Sequence, residues 1–585
     1  MFQRKKVRHR WWRGSVLTIG GMLLPAALVF AQTQPPLSPS ALSDADAHQL
    51  LQQQERERAL RQQQEQSPDV RLEGPEVGKL PALPKNETPC FPIQTIALTG
   101  NDAGQFQWVL KAADPVADPA TGRCLGSAGI NLVMKRVQNA IVAKGFVTTR
   151  VLASPQDLKA GKLTLTVIPG RVRAVRFSEN SDPRATKWNA MPVRPGDILN
   201  LRDIEQGLEN FKHVPTADAD IQIIPAEGPG AEPGESDLVI TWKQAMPFRL
   251  SLSVDDSGSK YTGKYQGGIT IAYDNWWTLN DLFYLSLNHD LGGGAAANKG
   301  SYGNTVHYEI PYHYWRLGLT ASNYKYYQSV AGVNQTYRYS GTSENSEVRL
   351  SRVIYRDVIR KSGVYLRGWA RSSNNFIDDA EVQVQRRRMA GWELGLTHRE
   401  YLGTATLDAS AGYRHGTGAM GAIPAPEESF GEGTSRPVLI TADAQLNVPF
   451  VFASQRLRYT GTWRAQWNQT PLVPQDRFSI GGRYSVRGFD GETSLIGDRG
   501  WLIRNELGLP LGTVGQELYL GIDYGEVGGR SAQFLPGTRL TGAVIGLRGG
   551  YRGFFWDAFV GQPVSKPDGF LTANATAGFN LNWTY

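Results

Sequence analysis

From residue 247 onward the chain alternates apolar and polar residues one by one, in long runs. Phe248, Leu250, Leu252 and Val254 stand against Arg249, Ser251, Ser253 and Asp255. The stretches 405–413, 438–448 and 457–463 repeat the pattern. The chain closes on LTANATAGFNLNWTY, where Leu571, Ala573, Ala575, Ala577, Phe579, Leu581, Trp583 and Tyr585 face Thr, Asn and Gly partners. Period-two alternation puts every apolar side chain on one face of a strand. A soluble sandwich uses strands of about 5–6 residues. A membrane-crossing strand needs about 9–11, and these runs are of that kind. The polar face carries Arg and Asp, which need water; the apolar face carries no charge. A greasy exterior around a wet interior is a transmembrane barrel, because in lipid only a closed sheet pairs all its backbone groups. The fold class predicted is therefore a transmembrane antiparallel β-barrel over residues 247–585. At roughly 20 residues per strand and connection it has about sixteen strands, an even number as bacterial barrels have. Trp276, Trp277, Tyr312, Tyr314 and Trp315 sit near strand ends, as interfacial girdles do. The terminal strand, 571–585, is expected to close on the first.

The chain before the barrel follows other periods. Residues 90–170 read as a small α+β unit: a strand at 93–99, two helical stretches, the second over 130–144 and stopped by Gly145, then strands at 146–152 and 162–168. Residues 171–246 read as its repeat, with a strand at 172–177, a polar stretch, a helix at 201–211, and strands at 220–224 and 237–242. The order β-α-α-β-β is read twice, and self-similarity outweighs any single element. Residues 32–66 hold a Gln-, Glu- and Arg-rich helix whose apolar stripe is thin (Leu42, Leu50, Leu51, Leu60). Such a helix does not belong in a dry core. It is either solvated or housed in a water-filled channel. Ser43 or Asp44 is expected to cap it, and Glu57 and Arg61 stand i,i+4 in the favourable order. Residues 67–89 are proline-rich and aperiodic, an extended linker.

Composition narrows the class. The first 31 residues read as a signal peptide: a basic stretch from Arg4 to Arg13, an apolar run from Ser15 to Phe30, and small-residue cleavage before Gln32. No later apolar run is long enough for a membrane helix. The net charge is +8, and no basic block with interleaved aromatics points to nucleic acid. The two cysteines, Cys90 and Cys124, are an even count in an exported chain and suggest one bridge. The eight histidines are scattered. No HExxH, GxSxG, GxxxxGK[ST] or Cys-rich metal spacing occurs, so no enzyme activity, cofactor or metal is expected.

The order signal, polar helix, Pro-rich linker, two α+β repeats and barrel resembles the two-partner secretion transporters, the TpsB family, and the repeats look like POTRA domains. The most specific piece is SVRGF, residues 485–489, which matches the family's VRG[FY] motif at the tip of the sixth extracellular loop. About thirty residues separate the flanking strands, and loops beyond about 12–15 residues are usually functional or disordered. The resemblance implies that Val486, Arg487, Gly488 and Phe489 fold back into the bore and that Arg487 pairs with a wall carboxylate matching Asp523. The alternation agrees independently: Leu518, Leu520, Ile522 and Tyr524 make the lipid face, so Glu517, Tyr519, Gly521, Asp523 and Gly525 face inward. Arg504 and Glu506 also stand at lumenal positions, with no role assigned. The bland reading of Arg487 is a solvated loop residue. The terminal aromatic resembles the signal read by the barrel-assembly machinery. The family implies an outer-membrane translocator that exports a large partner exoprotein (adhesin, haemolysin or contact-dependent toxin). The partner's N-terminal secretion domain would dock on periplasmic POTRA units. The alternative is an outer-membrane barrel insertase. Expected partners are that exoprotein, outer-membrane lipid and the insertion machinery.

Overall fold

A computed structural model describes residues 39–585 except 66, 67, 73, 75–77, 79, 333, 513 and 514; for 39–46 it describes the backbone alone. The signal peptide and the start of the helical segment lie outside the described residues. Sixteen antiparallel strands close into a barrel, each paired with its sequence neighbour, with a two-residue strand, Ala380–Glu381, as an extra pairing. The first strand, Phe248–Asp255, pairs with the last, Thr576–Thr584, in the register Asn580↔Asp255 to Thr584↔Ser251. Tyr585 completes the seam: its N–H donates to the Leu250 carbonyl at 2.9 Å.

The outward positions are those the alternation assigns. Leu394, Leu396, Leu520 and Ile522 are exposed on the outer face, while Ser251, Thr270, Glu393 and Asp523 are buried on the inner one. Trp276, Trp277, Tyr312 and Trp315 form an exposed belt near the periplasmic end. Tyr314 does not join it; its hydroxyl donates to Asp203 at 2.5 Å. The terminal strand is shorter than the alternation suggests. Residues 571–575 leave the wall because the Ala573 N–H donates to Asp490 (2.9 Å) and the Thr572 hydroxyl accepts from the Asp490 N–H (3.3 Å).

Two α+β units precede the barrel. In the first, Thr95–Thr99 runs parallel to Lys162–Ile168, which pairs antiparallel with Arg150–Leu152. Helices α2 (Leu110–Ala113) and α3 (Ser127–Ala143) cover the sheet, burying Leu132, Val133, Val137 and Ile141. The expected strand 146–152 is reduced to Arg150–Leu152, since the Thr149 N–H folds back onto the Phe146 carbonyl. Cys90 and Cys124 are joined, with Cα atoms 5.2 Å apart. The second unit pairs Arg171–Phe177 and Ala217–Pro225 with Glu235–Gln244 and carries α4 (Leu201–Phe211). It has one helix, not two. Residues 178–200 form turns, because Pro183, Pro192, Pro195 and Gly196 break any helix there.

The first helix, α1 (Pro39–Gln64), lies inside the barrel. It begins upstream of Ser43 and Asp44, which therefore sit within it rather than at its cap. Arg61 reaches the wall at Glu347, 3.2 Å away, and Glu57 accepts from Gln53. The segment after it is extended but not free. Val70 and Leu72 pack against the core of the second unit, Leu80 and Leu83 against that of the first. The Glu87 carboxylate accepts N–H bonds from Gly126, Ala128 and Gly129 at the start of α3, where a negative charge is favoured.

Candidate functional site

The loop between the strands Gln455–Asn468 and Arg499–Leu511 turns back into the bore. Its own short hairpin, Phe478–Ile480 with Leu495–Gly497, carries an apolar knot. Val486 and Phe489 are buried with Phe478, Ile480 and Leu495 of the loop, Leu502, Val527 and Leu540 of the wall, and Phe570 of the last extracellular loop. Phe489 meets Phe570 edge-on at 5.8 Å. Burial of that much apolar surface orders a loop of this length.

Arg487 sits beneath the knot, 5 % exposed, against a fully buried Asp523. Its Nε donates to Asp523 Oδ2 at 2.7 Å, Nη2 to Oδ1 at 2.9 Å, and its backbone N–H to Oδ2 at 3.0 Å. A fork meeting a carboxylate this way fixes orientation as well as distance, which a lysine cannot. The remaining nitrogen, Nη1, donates to Glu506 Oε2 at 2.7 Å. Glu506 is in turn 2.5 Å from Arg548, and Arg504 lies 3.8 Å from Asp523. Every nitrogen of the buried guanidinium thus has an acidic partner, which a charge in that setting requires.

The wall is shaped for the loop. A Cβ on Gly542 would lie 1.8 Å from the Arg487 carbonyl oxygen, so only glycine lets the loop backbone touch the wall there. Gly488 has φ +96, and a Cβ would lie 2.5 Å from the Gln562 carbonyl oxygen. All four motif residues and Asp523 therefore come together. Sequence reasoning left Glu506 without a role and did not single out Gly542 or Phe570. Glu506 stood at an inward position, but its place beside the latch depends on register: Arg504 faces Asp523 and Glu506 faces Gly521 across the strand pair.

The second occupant of the bore, α1, is held by polar contacts around its circumference. Glu55 pairs with Arg464 at 2.6 Å, Thr262 donates to Gln49 at 2.8 Å, and just past the helix Tyr284 donates to Glu65 at 2.8 Å. It also touches the loop: Gln52 donates to the Gly491 carbonyl at 2.8 Å, and His48 lies 3.1 Å from the Ser494 hydroxyl. A cavity of about 810 Å³ remains beside the helix on the periplasmic side. It is lined by α1, by Gln206 and Glu209 of α4, and by wall residues including Arg349, Arg399 and Arg464. Two histidines of the barrel lie apart from the latch. His307 faces inward toward Thr320, and His313 sits in a periplasmic turn against the Trp188 carbonyl.

Comparison with known proteins places this geometry. The profile described as haemolysin secretion/activation protein ShlB/FhaC/HecB matches residues 234–549. A ShlB-type POTRA domain matches 91–170, and a POTRA domain 171–225. The chain is 39% identical over 567 residues to the outer membrane transporter CdiB-2 of Burkholderia pseudomallei (strain 1026b), covering 94% of this chain and 96% of that one. It is 25% identical over 460 residues to the hemolysin transporter protein ShlB of Serratia marcescens, covering 76% and 77%. The solved structure of CdiB from Acinetobacter baumannii superposes with a TM-score of 0.82 at 32% identity, covering 92% of this chain and 99% of that one.

Proposed function

The chain belongs to the haemolysin secretion/activation family of ShlB, FhaC and HecB, and from that premise we propose that it carries a large partner exoprotein across the outer membrane to the cell surface. The barrel sits in the outer membrane with the POTRA units in the periplasm. The observation that carries the reading is a bore with two distinct occupants: a loop locked to the wall and a helix held by exchangeable polar contacts. A pore made only for solutes needs neither.

The partner arrives unfolded, and its N-terminal secretion domain docks on residues 90–246. Exposed sheet edges there offer backbone pairing with little sequence demand. The helix then leaves the bore, and the polypeptide passes Arg487 and its loop and folds outside, where folding supplies the drive. The work is transport, not catalysis, and calls for no cofactor. The barrel-assembly machinery inserts the chain, reading its terminal aromatic strand. Deletion of residues 90–244 tests the reading: the barrel should still reach the outer membrane and show heat-modifiable mobility, and the partner should stay inside. Undiminished secretion by that deletion contradicts it.

A further inference from the structure

Segment 69–72 passes from the bore to the periplasm through a seam between α4 and the barrel turn that holds Arg356. Four buried or nearly buried side chains line that seam and hold the segment by its backbone. The Val70 N–H donates to Glu209 Oε1 at 3.2 Å, and its carbonyl accepts from Arg356 Nη2 at 2.6 Å. The Leu72 N–H donates to Glu205 Oε1 at 2.7 Å, and its carbonyl accepts from Arg202 Nη2 at 3.3 Å. Donor and acceptor are both taken at every second residue, the pattern one edge of a sheet presents to an extended neighbour. Here side chains supply it. Arg202, Glu205 and Glu209 project from one face of α4, as their spacing requires. The side chains of Glu205, Glu209 and Arg356 are respectively 0, 3 and 4 % exposed.

We propose that this seam is the entry portal for the exported polypeptide, a site that binds any extended chain by its backbone and is filled at rest by the transporter's own linker. The proposal rests on the export reading above and adds the route. Three features support it. The four hydrogen bonds engage main-chain atoms and set no sequence requirement of their own, beside the packing of Val70 and Leu72 on the second unit. The seam opens on the 810 Å³ cavity, whose lining includes Glu209 of α4, so a chain entering there reaches free lumen beside the helix. The linker's departure leaves Arg202, Glu205, Glu209 and Arg356 paired with one another but removes four hydrogen bonds, which a second extended chain restores. Only five residues separate Gln64, the end of α1, from Val70, a reach of about 20 Å. Release of the helix from the bore therefore pulls on the portal's occupant.

The test uses the full chain in cells secreting its partner exoprotein. A photoreactive benzoylphenylalanine replaces Thr397, which lines the cavity inside the portal, or Asn582, on the opposite side of the barrel. Irradiation during export should give several-fold more transporter–partner adduct at 397 than at 582. Equal adducts, or an excess at 582, overturn the portal. Failure of the unsubstituted chain to secrete the partner overturns the export reading instead. A second arm substitutes the linker alone. Against a Val70→Ala, Leu72→Ala control that removes only their packing on the second unit, Val70→Pro with Leu72→Pro also removes the two donated N–H groups. The linker should become readily cleaved by added protease in the purified protein, and the adduct at 397 should rise. An unchanged cleavage rate overturns backbone capture.

Discussion

The loop and the helix share one bore and are held by opposite kinds of force. The loop carries an apolar knot and one buried cation with two acidic partners. Removing it would expose greasy surface and strand Asp523. The helix buries Ala47 and Leu50 but is held mostly through Gln, Glu and Arg side chains. In a wet bore water can replace such contacts, and a neutral hydrogen bond is worth about 0.5–1.5 kcal/mol. The difference teaches which part moves. On the export reading proposed above, the loop is the fixed fitting of the wall and the helix is the stopper that leaves.

The hardest break is Arg487→Ala. It leaves Asp523 and Glu506 buried without their guanidinium, and breaking a buried pair from one side costs about 3–5 kcal/mol. Secretion should be abolished while heat-modifiable mobility shows a folded barrel. Arg487→Lys should rescue little, because a point charge cannot serve both carboxylates in the fork geometry. Normal secretion by either variant would make the latch dispensable.

Next comes Phe489→Ala, which empties the knot against Phe570. Core truncations of this size cost about 3–5 kcal/mol, and the loop should become accessible to protease from outside the cell. A helix held only by exchangeable contacts should stay equally protected in that variant. A loop that keeps its full protease resistance contradicts the packing role of Phe489.

The periplasmic seam responds to acid. Burial pushes the Glu209 carboxyl up, but Lys361 and Arg356 overcome it and hold the group below its ordinary value of 4.5. A carboxylate with a depressed native value lends its stability fully above 4.5 and loses it as the pH falls through the lowered value. Protease release of residues 68–74 should stay constant from neutrality to about pH 4.5 and rise only in stronger acid. Release beginning near neutrality would contradict this. The smallest effect belongs to Glu55→Gln, which removes the pair with Arg464 but leaves Asp443 3.5 Å from the same guanidinium. Purified protein in planar bilayers should open somewhat more often, with secretion unchanged. A large loss of secretion would show that the stopper is a structural element after all.

Much of this was legible in the sequence, for a physical reason. Side-chain alternation in a strand is strict, so the inward place of Asp523 and the outward places of Leu520 and Ile522 followed from parity alone. Register is set by pairing with another strand, so the alignment of Glu506 beside Gly521 and the latch could not be read from one strand. Alternation also outran the final strand, because competing bonds to Asp490 pulled 571–575 off the wall. The place of α1 was hidden for a different reason. A thin apolar stripe suits a helix in bulk water and a helix in a wet channel alike, and only the charges arranged around it, Arg464 and Glu347 among them, tell the two apart. The second unit's missing helix was written in Pro192, Pro195 and Gly196, but repeat symmetry was the stronger expectation.

Amide hydrogen exchange on the full chain in detergent micelles tests the contrast between fitting and stopper most directly. Released from the bore, a polar helix of this kind is marginal in water, so its amides exchange whenever it leaves. The amides of α1 over residues 49–63 should exchange much faster than the Arg487 N–H that donates to Asp523. Equal protection of the two, or a loop that exchanges before the helix, would contradict the account.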